Sequence, residues 1–259
     1  MKSIRPHSHA DRERVVRELV PEFQRKFGDN LLAIAAQASF GRGDDAAYSD
    51  LEIGVFLRTL PDGHREGYTS IIRDGLLIEI WYTTRENYLA KIKDVTSEWY
   101  LAGSDVLVPV LNAPFLEELR DFPTPDLDEK CHRRLIRLWP GLQEDVSKTL
   151  NAIEQRNRDG LPMVLFCLMN DAMIALSFLN RRPYTTLAKF FAEVRAFPVK
   201  PDRLEDFLDL MATGDYKDLA KLRDVVVGMF EGFETLFERE GVALTAPDTA
   251  IDLAFTFLD

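Results

Sequence analysis

Residues 38–57 read ASFGRGDDAAYSDLEIGVFL and carry the most informative pattern in this chain. A turn with two glycines is followed by a polar loop and by an apolar run that opens with Asp50 and Glu52. On a strand, residues two positions apart point to the same side, so these carboxylates are expected side by side while Leu51 points into the core. Two like charges this close favour a bound cation, and carboxylate oxygens suit Mg²⁺ or Mn²⁺. The pattern therefore predicts a metal site at a strand.

A third acid, Glu79, interrupts the apolar run LLIEIWY at residues 76–82. A carboxylate inside an apolar strand is costly unless it has a partner. If this strand lies beside the strand of Asp50, the three acids converge on one metal site, of the kind that supports metal-assisted phosphoryl or nucleotidyl transfer. Upstream, the hydroxyl of Ser39, the guanidinium of Arg42 and the backbone N–H groups of the glycine turn suit phosphate oxygens. The sequence thus predicts a phosphate-binding turn beside a metal site, as a nucleoside triphosphate requires.

Hydrophobic spacing elsewhere predicts an α+β fold with two domains. Helices are predicted at 11–27, 84–95 and 115–122, and strands at 31–37, at the run that opens with Asp50, and at 76–82 and 106–111, with a loop before the third strand. Beyond the proline-rich residues 123–126, helices are predicted at 127–158, 162–180, 186–196, 203–212 and 216–240. We therefore expect a mixed-sheet domain at 1–124 and an all-helical bundle domain at 125–259.

Composition narrows the functional classes. The 43 Asp and Glu residues outnumber the 32 Lys and Arg residues, which gives a net charge of −11. This charge disfavours nucleic acid as a partner and suits a cationic or neutral small substrate. Cys131 and Cys167 have no CxxC spacing, so neither a disulfide framework nor a structural zinc site is expected. The N-terminus lacks a signal-peptide pattern and the apolar segment 161–179 contains Asn170 and Asp171, so we expect a cytoplasmic protein with no membrane span.

These residues carry a family resemblance. The stretch from Ala38 to Glu52 is similar to the signature of the DNA polymerase β-like nucleotidyltransferase superfamily, a Gly-Ser turn followed by an acid-x-acid strand. More narrowly, Ser-x-Gly-Arg at 39–42 and Tyr-Ser-Asp-x-Glu at 48–52 resemble the kanamycin (aminoglycoside 4′) nucleotidyltransferases. Further similar stretches are the strand of Glu79, Trp99, residues 184–186 and residues 238–241, so that the resemblance runs from about residue 11 to residue 241.

The resemblance implies Mg²⁺-dependent transfer of a nucleoside monophosphate, AMP from ATP, to a hydroxyl of a small molecule, with release of pyrophosphate. An aminoglycoside antibiotic is the acceptor that the family uses. The family also works as a homodimer with a shared active site. Carried over to this chain, the roles are metal binding by Asp50, Glu52 and Glu79, phosphate binding by Ser39, Arg42 and Ser49, general base catalysis by Glu144, and contact with the α-phosphate by Lys148.

The chain departs from the family at four positions. Ala38 replaces the usual glycine before the turn serine, which narrows the backbone conformations available there. Acids that hold the antibiotic in the family are replaced by Pro140 and Gly141 and, in the loop before the third strand, by Ser70. Two alternatives therefore stay open: a nucleotidyltransferase that acts on RNA or protein, and a catalytically idle nucleotide-binding homologue. For Glu144 and Lys148, the alternative is a surface ion pair without a catalytic role.

Overall fold

The computed structural model describes residues 3–61, 64, 66–120 and 122–245. Its internal contacts divide the chain into two compact units. The first comprises the chain up to Cys131 together with the later segment Arg181–Glu193, and the second comprises His132–Asn180 and the residues from Val194 onward. The sequence-based domains, 1–124 and 125–259, instead leave Arg181–Glu193 with the helical half.

The first unit contains a five-stranded sheet with the order β3-β4-β2-β1-β5. The strands are β1 (Leu31–Ala36), β2 (Leu51–Leu57), β3 (Glu66–Arg73), β4 (Leu76–Thr84) and β5 (Val108–Leu111). Strands β2 and β4 are parallel, whereas the other neighbouring pairs are antiparallel. The prediction of a mixed sheet is therefore confirmed, and so is the condition that the strand of Glu79 lies beside the strand that follows Asp50.

Helices cover both faces of this sheet because alternate strand residues are apolar on each side. Helix α1 (His9–Phe27) packs against one face, and the helices α3 (Arg85–Ile92) and α4 (Ala113–Arg120) pack against the other. The α1 side buries Val16, Leu19 and Phe23 with Leu51, Ile53, Ile78 and Ile80, and the opposite side buries Phe56 with Tyr88, Leu89 and Leu116. Glu52 lies between Leu51 and Ile53, so it points away from α1, as predicted.

Strand β3 was not predicted, since its residues were expected to form a loop. It is an edge strand with mostly exposed or half-exposed side chains, so it lacks the apolar alternation of a buried strand. The turn Asp74-Gly75 joins it to β4, and both turn residues have positive φ, as the favoured two-residue hairpin requires. The placement of Ser70 in a loop is therefore wrong: Ser70 lies on β3, directly opposite Glu79.

The second unit is helical in its described part, which confirms the α+β fold class. Helices α5 (Leu127–Glu154) and α7 (Phe190–Arg195) cross the division between the units, and α6 (Leu161–Leu179), α8 (Leu204–Thr213) and α9 (Leu219–Arg239) lie in the second. Trp139 of α5 stacks on Phe230 of α9 at 5.3 Å. Among the described helices, α6 is long and apolar enough to cross a membrane by length and composition, and 50% of its most apolar window is buried in the protein.

Candidate metal and nucleotide site

Three carboxylates meet at one end of the parallel strand pair. Glu52 of β2 and Glu79 of β4 are register partners, so their side chains share one face of the sheet. Asp50 immediately precedes β2 and lies two residues before Glu52. Oxygen atoms of the three side chains all lie within 4.8 Å of one another, a spacing that suits ligands of one cation. The structure therefore brings together all three acids that the sequence singled out.

The charges of this acid cluster repel one another. Burial, together with the neighbouring charges of Asp50 and Glu79, raises the pKa of Glu52 to about 7. Burial and the charge of Glu79 also raise the pKa of Asp50. Glu79 accepts a hydrogen bond from the hydroxyl of Tyr68 on the neighbouring strand. Three carboxylates this close repel one another unless a cation lies between them. Their hard oxygen atoms suit Mg²⁺ or Mn²⁺, and either ion would relieve the repulsion.

The glycine turn is a one-turn helix, α2 (Ala38–Arg42), which ends at Gly43 in the left-handed conformation. Ser39 and Arg42 both lie on this helix. Gly41 packs so closely on β1 that an added Cβ would lie 2.8 Å from the carbonyl oxygen of Ala36. Ala38 has a φ of 48°, in the region that favours glycine, so the alanine at this position is strained. The predicted turn with two glycines is thus a single helical turn that starts at Ala38.

Arg12 of α1 holds the loop between α2 and β2 in place, and its side chain is fully buried. The guanidinium donates to the carbonyl oxygens of Ser49 and Ala46, and it pairs with Asp45 at 2.9 Å. Ser49 accepts a hydrogen bond from the backbone of Ala46 at 3.0 Å through its hydroxyl. Arg12 thus fixes the segment that carries Ser49 and Asp50. Sequence reasoning missed this role, because one arginine on an amphipathic helix gives no sign of burial.

A cavity of about 450 Å³ lies beside the acid cluster within the first unit. Its lining includes Ser39, Arg42, Ser49, Asp50 and Glu52, together with Asp44 and residues 185–189. The phosphate-binding and metal-binding candidates from the sequence therefore face one space, apart from Glu79. The residues that sequence reasoning missed here are Asp44 and Lys189, and the latter reaches the cavity on the segment that returns to the first unit.

Glu144 and Lys148 lie on α5, in the part of the chain assigned to the second unit. They form an ion pair of 2.9 Å at i, i+4 spacing, and more than half of each side chain is exposed. The hydrogen bond that Lys148 donates to the carboxylate of Glu144 raises the pKa of Lys148. This geometry is that of an ordinary helix-surface pair, so the roles of general base and phosphate contact stay predictions from the resemblance.

Positions 140 and 141, where the family carries acids, lie inside α5. An added Cβ at Gly141 would lie 3.3 Å from a carboxylate oxygen of Asp171 on α6. Burial and the charge of Asp145 raise the pKa of Asp171. A carboxylate from α6 therefore lies beside the position at which the family acid is missing.

Known proteins resemble this chain along most of its length. Residues 134–243 match the family model of the KNTase C-terminal domain. Over 235 residues, the chain is 23% identical to the aminoglycoside nucleotidyltransferase (4′) of a Bacillus species. This alignment covers 89% of the chain and 92% of the relative. The protein of the same name from Staphylococcus aureus is 22% identical with the same coverage. A solved nucleotidyltransferase-like protein from Exiguobacterium sibiricum aligns at 12% identity with a TM-score of 0.44, over 88% of this chain and 75% of that chain.

The two curated relatives confirm the class of protein that the sequence resembles, since both are nucleotidyltransferases. They also confirm the narrower resemblance, which is to the aminoglycoside 4′ nucleotidyltransferases over 89% of the chain.

Proposed function

We propose that this chain is a Mg²⁺-dependent enzyme that transfers AMP from ATP to a hydroxyl of an aminoglycoside and releases pyrophosphate. The observation that carries the proposal is the acid cluster of Asp50, Glu52 and Glu79, whose oxygens lie within 4.8 Å of one another. A cavity with serine and arginine side chains adjoins two of these acids. The names of the relatives supply the class of acceptor.

The three acids would hold the metal ion, and their chemistry fits this role because carboxylates are the ligands that Mg²⁺ prefers. When bound, the ion offsets charge on the triphosphate. Ser39, Arg42 and Ser49 bind phosphate oxygens and thereby orient the α-phosphate. The cluster alone is not specific for one nucleotide, so the choice of ATP rests on the resemblance.

In the transfer step, the acceptor oxygen forms a bond to the α-phosphorus while the bond from that phosphorus to the pyrophosphate oxygen breaks. The pyrophosphate leaves with the bonding electron pair. Glu144 accepts the proton of the acceptor hydroxyl, and Lys148 offers its ammonium group to the α-phosphate. These two roles rest on the resemblance.

The acceptor is a cationic amino sugar. The net charge of −11 favours a cation over nucleic acid. Asp171 beside Gly141 supplies a carboxylate close to a position where the family uses one, which supports an acceptor of the same charge. We further propose that the chain acts in the cytoplasm as a homodimer with a shared active site, without a membrane or nucleic-acid partner. Analytical ultracentrifugation tests the dimer.

The acceptor is tested by incubating the chain with ATP labelled at the α-phosphate and with Mg²⁺, in parallel with kanamycin, with bulk RNA, and without an added acceptor. We expect label on kanamycin and release of pyrophosphate in the first reaction. Label on RNA or on the chain itself would support the alternative acceptors, and nucleotide binding without any transfer would support an idle homologue. Asp29→Asn, an exposed substitution in the same unit, serves as the control for Asp50→Asn, which is expected to abolish transfer.

A further inference from the structure

Asp44 holds two cations at the cavity beside the acid cluster. Its carboxylate lies 3.3 Å from Nε of Arg42 and accepts a hydrogen bond from the ammonium group of Lys189. Lys189 lies 145 residues further along the chain. All three side chains line the cavity, together with Ser39 and Ser49. An internal carboxylate is therefore bound to both cations in a cavity where the hydroxyls of Ser39 and Ser49 suit phosphate oxygens.

The position of Lys189 is fixed by the way its segment packs on the first unit. Tyr184 is fully buried, and its backbone N–H donates to the carbonyl oxygen of Tyr100 at 2.7 Å. The rings of Tyr184 and Phe190 are in contact, with centroids 4.3 Å apart. The backbone N–H of Thr185 donates to the carboxylate of Glu193 at 2.9 Å. Lys189 lies between the residues that make these contacts, so the packing of the segment places its ammonium group at the cavity.

Arg42 is incompletely satisfied by Asp44. Its Nη1 atom is buried and has no hydrogen-bond partner among the described residues. Buried guanidinium donors normally have hydrogen-bond acceptors, so an unpaired donor indicates that a ligand supplies the acceptor. A single carboxylate cannot satisfy both Arg42 and Lys189 fully, whereas a polyphosphate chain offers several anionic oxygens along its length.

We propose that Lys189 is a phosphate-binding residue of this site and that Asp44 is an internal anion that the triphosphate of the nucleotide displaces from Arg42 and Lys189. The inference rests on the proposed function in that it takes the ligand to be a nucleoside triphosphate. The hydrogen bond from Lys189 and, after it, the charge of Arg42 lower the pKa of Asp44, so its carboxylate is ionised at neutral pH. An ionised carboxylate competes with phosphate for both cations and repels it.

Two substitutions therefore act in opposite directions. Lys189→Gln removes a cation and is expected to weaken binding of a non-hydrolysable ATP analogue about tenfold, as for the loss of one charge-assisted hydrogen bond. Asp44→Asn removes the competing anion and is expected to tighten binding about threefold or more. Lys189→Arg keeps the charge and is expected to restore most of the affinity. Arg73→Gln breaks a surface ion pair with Glu18 elsewhere in the same unit and serves as the matched control.

The measurement is calorimetric titration of the intact chain with α,β-methylene ATP and Mg²⁺, and in parallel with inorganic tripolyphosphate. The inference is supported if Lys189→Gln weakens and Asp44→Asn tightens the binding of both ligands. Affinity changes that occur only with the nucleotide would overturn phosphate as the group that is recognised. An unchanged affinity in Lys189→Gln, or equal weakening in both variants, would show that the pair only tethers Arg181–Glu193. Because no acceptor is present, these results are independent of whether the chain transfers AMP to an aminoglycoside.

Discussion

Replacing Glu52 by glutamine removes one charge from the acid cluster while keeping the shape of the side chain. Burial, Asp50 and Glu79 raise the pKa of Glu52 from 4.5 to about 7. Since a tenfold change in proton affinity corresponds to about 1.4 kcal/mol, this interval corresponds to about 3.4 kcal/mol as an upper bound. Glu52 is only partly buried, so screening by solvent reduces the effect to about 1–2 kcal/mol.

The direction of the pH dependence follows from the raised pKa. An acid whose pKa is higher in the folded protein contributes stability that is fully present below pH 4.5 and is lost as the pH rises through about 7. Without metal, the wild-type chain is therefore expected to be less stable at pH 8 than Glu52→Gln by about 1–2 kcal/mol. At pH 4.5 or below, the two proteins are expected to have nearly equal stability. Glu22→Gln, an exposed substitution on α1, is expected to change little at either pH.

Unfolding of both proteins is followed by circular dichroism in EDTA at pH 4.5 and pH 8, and then at pH 8 with Mg²⁺. A ligand that binds the folded state raises its stability, so Mg²⁺ is expected to stabilise the wild-type chain and to have a much smaller effect on Glu52→Gln. Equal stability of the two proteins at pH 8 in EDTA, or equal stabilisation by Mg²⁺, would refute the assignment of Glu52 to a repulsive metal site.

Three further substitutions test other parts of the structure. Arg12→Met removes the guanidinium that pairs with the buried carboxylate of Asp45 and leaves it only the contact with His9. Urea unfolding is therefore expected to show a loss of about 3 kcal/mol, with a smaller loss in the exposed control Arg14→Met. Glu144→Gln is expected to keep the Kd for the ATP analogue and to lower kcat at least 100-fold, and an unchanged kcat would remove it as the base. Asp171→Asn is expected to raise KM for kanamycin several-fold while KM for ATP stays constant, since it removes a carboxylate beside Gly141.

The acid cluster could be predicted from the sequence because its signals are local. Alternation places Asp50 and Glu52 on one side of a strand, and a single carboxylate in an apolar run marks Glu79. The prediction assumed that the two strands are neighbours. The sequence could not show this, because the parallel pairing of β2 and β4 joins segments that are distant along the chain. The strand register, which only the structure shows, then places the carboxylates of Glu52 and Glu79 side by side.

The parts that sequence reasoning missed depend on contacts between distant segments. Strand β3 is exposed on both faces, so its pattern resembled a loop, although Asp74-Gly75 is a hairpin signal that could have revealed it. Arg12 and Lys189 belong to helical stretches whose periodicity says nothing about the loop or the cavity that they reach. Their roles come from the packing of α1 and of residues 181–193 on the sheet unit.

Nucleotidyl transfer moves the α-phosphate of ATP to the acceptor, whereas phosphoryl transfer moves the γ-phosphate. The most direct measurement therefore gives the chain Mg²⁺, kanamycin and ATP labelled at either the α- or the γ-phosphate, in wild-type and Asp50→Asn proteins. We expect α label on the antibiotic and γ label in pyrophosphate with the wild-type chain, and neither product with Asp50→Asn or in EDTA. Label from the γ-phosphate on kanamycin, or α-label transfer that persists in Asp50→Asn, would contradict metal-dependent nucleotidyl transfer at this acid cluster.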